Sequence, residues 1–123
     1  MNQIPTLLCD FYKVSHHEMY PKGTEKVYST WIPRASRFDY IDEVVAFGFQ
    51  QFLKKLNTIF EEDFFGRSKE DVVAEYKRTI QFTLGNPNPD TSHIAALHDL
   101  GYLPIHVKAL DEGTLVPLRV RGI

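Results

Sequence analysis

The chain has 123 residues, 43% of them hydrophobic and 24% charged, which predicts one folded domain over residues 1–123 and excludes a disordered chain. Its formal net charge of −2 argues against a nucleic-acid binder, because such proteins carry a concentrated positive surface. With one cysteine, no apolar run near the ~20 residues that span a bilayer and no signal-peptide pattern, the chain is predicted to be soluble, cytoplasmic and free of disulfides.

The first predicted element is a short helix between Asp10 and Pro21. The Asp10 carboxylate can cap its first turn, and Pro21 stops it because the residue before a proline is pushed out of the α region. Phe11, Val14 and Glu18 share one side of this helix and Tyr12 and Met19 another, and one face is predicted to be buried.

Two strands and two helices follow in the middle of the chain. Residues 25–32 are rich in β-branched and aromatic side chains and predict a strand, and residues 43–47 predict a second, shorter one. Apolar side chains at helical spacing predict an amphipathic helix over residues 49–60. A further helix is predicted to begin at a capping box on Ser68 and to end at Gly85.

The last third predicts a helix over residues 91–100 and a hairpin of strands 105–109 and 114–120. Helices that cluster between strands without regular alternation favour the α+β class, with a small mixed or antiparallel sheet and three main helices. Because the sequence stops inside a predicted strand, we expect a truncated N-terminal domain of a longer enzyme.

Asp10 and Tyr12 are the first candidate for a binding site. A carboxylate accepts hydrogen bonds from an amide NH₂ group, and a neighbouring aromatic ring can stack on a heteroaromatic ligand. The alternative is that Asp10 only caps its helix and Tyr12 only fills the core, and the spacing alone favours this alternative.

Arg34 is the second candidate, supported by Arg37 and Lys13. The guanidinium fork matches phosphate oxygens in a bidentate manner. The alternative is a solvated loop arginine, which is the more common case.

The histidines and the cysteine form no metal-binding pattern in the sequence. His16 and His17 diverge around a helix, and His93 and His98 are five residues apart rather than the four that share a face. We therefore predict structural or surface roles for them and no metal site. The sequence also contains no recognisable nucleophile and no glycine-rich phosphate loop.

Several separated segments resemble, in order and spacing, the N-terminal region of nicotinamide phosphoribosyltransferases. They are residues 10–16, 19–21, 26–29, 47–53, 101–105, 107–109 and 112–113. The resemblance implies the N-terminal α+β domain of a type II phosphoribosyltransferase, which packs beside a catalytic barrel in a homodimer. The family joins nicotinamide to phosphoribosyl pyrophosphate, with Mg²⁺, to give nicotinamide mononucleotide for NAD salvage.

By motif position, the resemblance implies that Tyr12 stacks on the pyridine ring of nicotinamide and that Asp10 lies near its carboxamide, in the pocket of the opposite subunit. It implies that Arg34 reaches the phosphate-bearing substrate across the interface. The barrel residues that carry the chemistry lie beyond this chain, so we expect no catalytic group, no cofactor and no turnover in the isolated chain. The alternatives are a non-catalytic module that docks on a full-length relative, and an inert remnant.

Overall fold

The computed structural model describes residues 3–119, and within them it contains four α-helices and a two-stranded antiparallel sheet. The helices are α1 (His16–Met19), α2 (Phe49–Phe60), α3 (Lys69–Leu84) and α4 (Ser92–Leu100), and the strands are β1 (Glu43–Val45) and β2 (Leu115–Pro117). Two short 3₁₀ segments, Pro5–Leu7 and Phe11–Lys13, and one π-helical turn, Glu61–Phe65, complete the regular structure. The predicted α+β class with three main helices is confirmed.

The chain divides into two compact units. The first unit comprises residues 3–22 and Lys55–Pro104, and the second comprises Gly23–Lys54 and residues 105–119. No helix within residues 3–119 is long and apolar enough to cross a membrane.

Helix α3 begins and ends where its sequence predicts. The Ser68 hydroxyl accepts a hydrogen bond from the backbone N–H of Asp71 at 3.2 Å, which satisfies one of the N–H groups that the first turn leaves free. Gly85 adopts a left-handed conformation (φ 66°) after the last turn. Val72, Tyr76 and Ile80 follow each other at four-residue spacing and are buried.

The core of the first unit surrounds the π-helical turn. Phe64 is fully buried there, and the rings of Phe65 and His98 contact it, with centroids 5.0 and 5.6 Å away. The turn ends at Gly66, whose N–H bonds to the carbonyl of Glu61 at 2.8 Å; a Cβ on this glycine would lie 2.8 Å from the same oxygen. Eight buried side chains form this core: Ile4, Leu7, Phe60, Phe64, Val72, Tyr76, Ile80 and Ile94.

The N-terminal helix is not the single element that the sequence predicts. The segment folds as the 3₁₀ turn Phe11–Lys13 followed by the one-turn α1, and the Asp10 side chain makes no capping hydrogen bond. Isolated helices of this length are marginal, so tertiary contacts decide the backbone path. Here Phe11 and Val14 pack against the core and anchor the two short turns.

The second unit is built around the pairing of β1 with β2. The strands are antiparallel, with Val44 opposite Val116, and the ladder continues where the Gly113 N–H bonds to the Ala46 carbonyl at 2.8 Å. Gly113 has a left-handed conformation (φ 90°). The predicted hairpin is wrong, however, because residues 105–109 are irregular and β2 pairs with β1 instead.

The predicted strand over residues 25–32 is also wrong, since this stretch has irregular backbone. Its aromatic side chains are exposed, with Tyr28 at 86% and Trp31 at 55%. The strand preference of such residues depends on packing against cross-strand neighbours. Val120, the last residue of the predicted final strand, lies outside the described residues, as do residues 121–123.

Candidate functional site

Asp10 and Tyr12 lie on the surface of the first unit. Tyr12 is 68% exposed and Asp10 is exposed as well. Both belong to the 3₁₀ turn whose other side is held by Phe11 and Val14. Tyr12 therefore does not fill the core and Asp10 does not cap a helix, so both side chains present their functional groups to solvent.

The segment that carries these two residues is tied to helix α3 by one carboxylate. Glu75 accepts a hydrogen bond from the Ile4 backbone N–H at 3.0 Å through Oε1, and its Oε2 lies 2.7 Å from the Arg67 guanidinium. Both side chains of this ion pair are largely shielded from water, at 20% and 26% exposure. Through this contact Glu75 holds Ile4, which lies six residues before Asp10.

The Tyr12 ring is exposed and has two polar neighbours. The His16 imidazole tilts against it with centroids 5.7 Å apart, and Lys13 Nζ lies 5.9 Å from the ring centroid. An exposed ring of this kind can stack on a flat heteroaromatic ligand, which contributes about 0.5–1.5 kcal/mol beyond the area it buries.

Arg34 lies in the second unit, on the wall of an open cavity of about 600 Å³. The preceding Pro33 is buried, and its carbonyl accepts a hydrogen bond from the Arg119 N–H at 2.6 Å, which holds the loop on this wall. The charged residues of the lining are Arg34, Asp39, Asp42, Glu43 and Arg119. Three carboxylates accompany the two guanidinium groups, so the cavity is not a simple anion site; Arg37 is not part of its lining.

The predicted site residues thus fall into two groups. Asp10 and Tyr12 belong to one turn of the first unit, and Arg34 belongs to the second unit. Lys13, named as a possible support for Arg34, lies beside Tyr12 in the first unit.

The structure also assembles a side-chain cluster that the sequence analysis missed. His17 in α1 stacks on His93 in α4, with ring centroids 3.7 Å apart and planes inclined by 20°. Asp90 Oδ2 lies 3.7 Å from His17 Nε2. Only the three-residue interval between Asp90 and His93 was visible in the sequence, whereas His17 reaches them from more than 70 residues away.

The environment shifts the pKa of two members of this cluster. Hydrogen bonds from the Ser92 backbone and side chain lower the pKa of Asp90, so it is a carboxylate at neutral pH. Burial, and then the nearby His17, lowers the pKa of His93 and favours a neutral imidazole. His98, in contrast, has a structural role, with Nε2 2.9 Å from the Arg67 carbonyl oxygen.

Comparison with known proteins identifies two relationships. Residues 5–107 match the family described as nicotinamide phosphoribosyltransferase, N-terminal domain. The nicotinamide phosphoribosyltransferase of Acinetobacter baylyi (strain ATCC 33305 / BD413 / ADP1) is 45% identical over an alignment of 122 positions, covering 94% of this chain and 24% of the relative. The chain therefore spans about a quarter of the length of the curated relative. No solved structure matches it significantly.

Proposed function

This chain belongs to the nicotinamide phosphoribosyltransferase family, and we propose that it is the N-terminal part of an enzyme that makes nicotinamide mononucleotide from nicotinamide and phosphoribosyl pyrophosphate. In this proposal it acts in the cytoplasm, in NAD salvage, as part of a homodimer. Its own contribution is one wall of a nicotinamide pocket that the rest of the protein completes across the dimer interface.

The observation that carries the proposal is the exposure of Tyr12 and Asp10 on a turn whose opposite side is fixed in the core. The phenol ring is available to stack on the pyridine ring of nicotinamide, and the carboxylate is available to accept a hydrogen bond from the carboxamide NH₂. A second subunit would cover both groups and exclude water, which strengthens each of these contacts.

Arg34 is proposed to contact a phosphate group of the other substrate. Its guanidinium is exposed on an open cavity that could admit such a group. The carboxylates around it would disfavour a free anion, so we propose that Arg34 binds phosphate only once the remainder of the active site supplies further positive charge. Mg²⁺ would accompany the pyrophosphate of the substrate, and we assign it no ligand in this chain.

We further propose that the chain is inactive alone. The described residues offer a ring and hydrogen-bonding groups for binding, and the groups that stabilise the transferring sugar and the departing pyrophosphate would come from the barrel. The isolated chain should give no mononucleotide from nicotinamide and phosphoribosyl pyrophosphate, and measurable turnover would refute this part.

A chimera tests the binding roles directly. Replacing the matching segment of the Acinetobacter baylyi relative by this chain should give an active enzyme. In that chimera, Tyr12→Ala should raise KM for nicotinamide about twofold to tenfold, from the loss of stacking. Arg34→Gln should instead raise KM for phosphoribosyl pyrophosphate about tenfold, from the loss of a charge-assisted hydrogen bond.

Tyr28→Ala is the matched control, because Tyr28 is also an exposed tyrosine (86%) but lies in the irregular stretch of the second unit. It should leave KM for nicotinamide unchanged. A folded, dimeric chimera in which Tyr12→Ala and Tyr28→Ala have the same KM for nicotinamide would contradict the assigned pocket.

A second candidate function is a non-catalytic module that docks on a full-length relative. It is favoured by the exposed aromatic side chains of the second unit, among them Tyr40 at 81% and Phe47 at 77%. Light scattering coupled to size exclusion separates the candidates. A docking module should bind the intact relative in a defined ratio. A chain that stays monomeric and does not bind the relative would rule out this second function.

A further inference from the structure

The cluster of His17, Asp90 and His93 has the composition of a metal site and lies entirely within the first unit. Each residue offers one ligand atom, and these atoms all lie within 4.8 Å of one another. Two imidazoles and one carboxylate are a donor set that suits Zn²⁺ and neighbouring transition metals rather than Mg²⁺ or Ca²⁺.

The hydrogen bond made by His17 leaves its other ring nitrogen available to bind a metal ion. His17 Nδ1 lies 2.9 Å from the Val14 carbonyl oxygen. Since a carbonyl can only accept, Nδ1 carries the proton and Nε2 of the neutral ring carries a lone pair. Metal-binding histidines are oriented in this way by a hydrogen bond from their other nitrogen to a backbone carbonyl.

Asp90 is oriented in a similar manner. Its Oδ1 accepts a hydrogen bond from the Ser92 backbone N–H at 2.8 Å, while its Oδ2 lies 3.7 Å from His17 Nε2. The Glu18 carboxylate also lies 3.7 Å from the same nitrogen, through Oε1. In the neutral ring, the lone pair on Nε2 therefore faces two carboxylate oxygens, an arrangement of acceptors that is repulsive unless a proton or a metal cation lies among them.

One ring nitrogen of each histidine in the cluster has no hydrogen-bond partner within residues 3–119. His17 Nε2 and His93 Nδ1 are both inaccessible to solvent and make no hydrogen bond. Buried polar atoms without a partner are costly, which indicates that something else satisfies them. A proton could satisfy one nitrogen at a time, whereas a metal ion satisfies both together.

We propose that His17, Asp90 and His93 bind a divalent transition-metal ion, Zn²⁺ foremost, with Glu18 or a water molecule as the fourth ligand. Zn–N distances of about 2.0–2.1 Å require the His93 ring to turn out of its stack on His17, so that both lone pairs converge on the ion. The bound ion would fasten α1 to the start of α4 and close a long loop of chain, which stabilises the fold.

The test uses untagged, metal-free chain in a Cys9→Ser background, so that neither a tag nor the exposed thiol competes for the ion. Isothermal titration with Zn²⁺ should give one equivalent per chain, and Co²⁺ should give visible absorption bands of a low-symmetry protein site. The midpoint of thermal unfolding should rise by several degrees with saturating Zn²⁺.

Three variants locate the site. His17→Gln and Asp90→Asn should each weaken Zn²⁺ binding by at least about tenfold. Asp90→Asn keeps an oxygen for the Ser92 N–H, so this variant remains informative if His17→Gln does not fold. His16→Gln is the matched control, since His16 neighbours His17 in α1 but does not belong to the cluster.

Two outcomes overturn the proposal. One is the absence of stoichiometric Zn²⁺ binding to the folded, metal-free chain. The other is binding that Asp90→Asn leaves unchanged, or that His16→Gln weakens as much as Asp90→Asn does, because the ion would then be held elsewhere.

Discussion

The two units differ in how they bury apolar surface. Among the described residues, ten side chains form the buried hydrophobic set outside proline; eight of them form the core of the first unit, and the other two, Ala46 and Val116, belong to the second unit. Of the 21 large hydrophobic side chains that are exposed, 13 belong to the second unit. The first unit has a core of its own, and the second does not.

The second unit is held together mainly by hydrogen bonds. The Ala46 N–H donates to the Thr114 carbonyl, the Leu118 N–H donates to the Asp42 carbonyl, and the Glu112 carboxylate accepts from the Gly48 N–H. Each such bond contributes only about 0.5–1.5 kcal/mol net, so they cannot replace a core. An ordered unit with so much exposed apolar surface fits a part whose surface is covered by further protein, as the proposed function requires.

Truncating a phenylalanine in each unit gives the largest expected contrast. Phe64→Ala should lower the free energy of unfolding by about 3–5 kcal/mol, because it opens a cavity in the core of the first unit. Phe47→Ala, at a 77% exposed position of the second unit, should change it by less than about 0.5 kcal/mol. Urea unfolding monitored by circular dichroism measures both values.

The same two variants can also contradict the proposed difference between the two units. If Phe47→Ala costs as much as Phe64→Ala in the isolated chain, the second unit has a core that its exposed side chains do not suggest. If Phe47→Ala is neutral for folding but weakens self-association, the exposed surface acts as an interface.

The cap of helix α3 should have a moderate effect. Ser68→Ala removes the hydroxyl that accepts from the Asp71 N–H and should cost about 1 kcal/mol of unfolding free energy. Thr91→Ala is the control, because Thr91 occupies the same position in α4 without making a side-chain cap. Equal losses in the two variants would mean that the Ser68 hydrogen bond is not what stabilises α3.

The corresponding contact of the second unit should contribute slightly less. Glu112→Ala removes the acceptor that lies 2.6 Å from the Gly48 N–H, just before α2, and should cost about 0.5–1 kcal/mol, because the bond is exposed to water. Glu25→Ala, at another exposed glutamate of the same unit, should be neutral. A neutral Glu112→Ala would mean that this hydrogen bond does not stabilise the second unit.

The sequence predicted the helices better than the strands, and the reason is physical. Helix α2 spans the predicted residues because its apolar spacing is a local property, and α3 begins at Ser68 and ends before Gly85 because caps are local too. Strands depend on partners far along the chain. β1 pairs with a segment about 70 residues later, and no local pattern distinguishes that pairing from the hairpin that was predicted.

The candidate site shows the same division. Spacing alone did not favour a binding role for Asp10 and Tyr12, and the roles proposed for them and for Arg34 came from the family resemblance. Their exposure could not be predicted, because the 3₁₀ turn replaces the expected helix. The histidine cluster was missed because His17 and His93 meet only through tertiary packing.

The smallest expected effect concerns the titration of Tyr76, a buried tyrosine of the first unit. Burial raises the pKa of Tyr76 above its ordinary value of 10.0, and the negative charges of Cys9, Asp90 and Glu18 raise it further. The folded chain therefore holds the phenol proton more tightly than the unfolded chain. The stability that this difference contributes is fully present below pH 10 and is lost as the pH rises through the pKa of the folded state.

Urea unfolding at pH 8.5, 9.5 and 10.5 measures this effect. The free energy of unfolding should fall less with rising pH in Tyr76→Phe than in the unmodified chain. Tyr28→Phe, at an 86% exposed position of the second unit, is the control and should lose as much stability as the unmodified chain. If the free energy of unfolding changes equally with pH in all three proteins, Tyr76 ionises as readily in the folded chain as in the unfolded chain. The contrast between a buried tyrosine of the first unit and an exposed tyrosine of the second would then be contradicted.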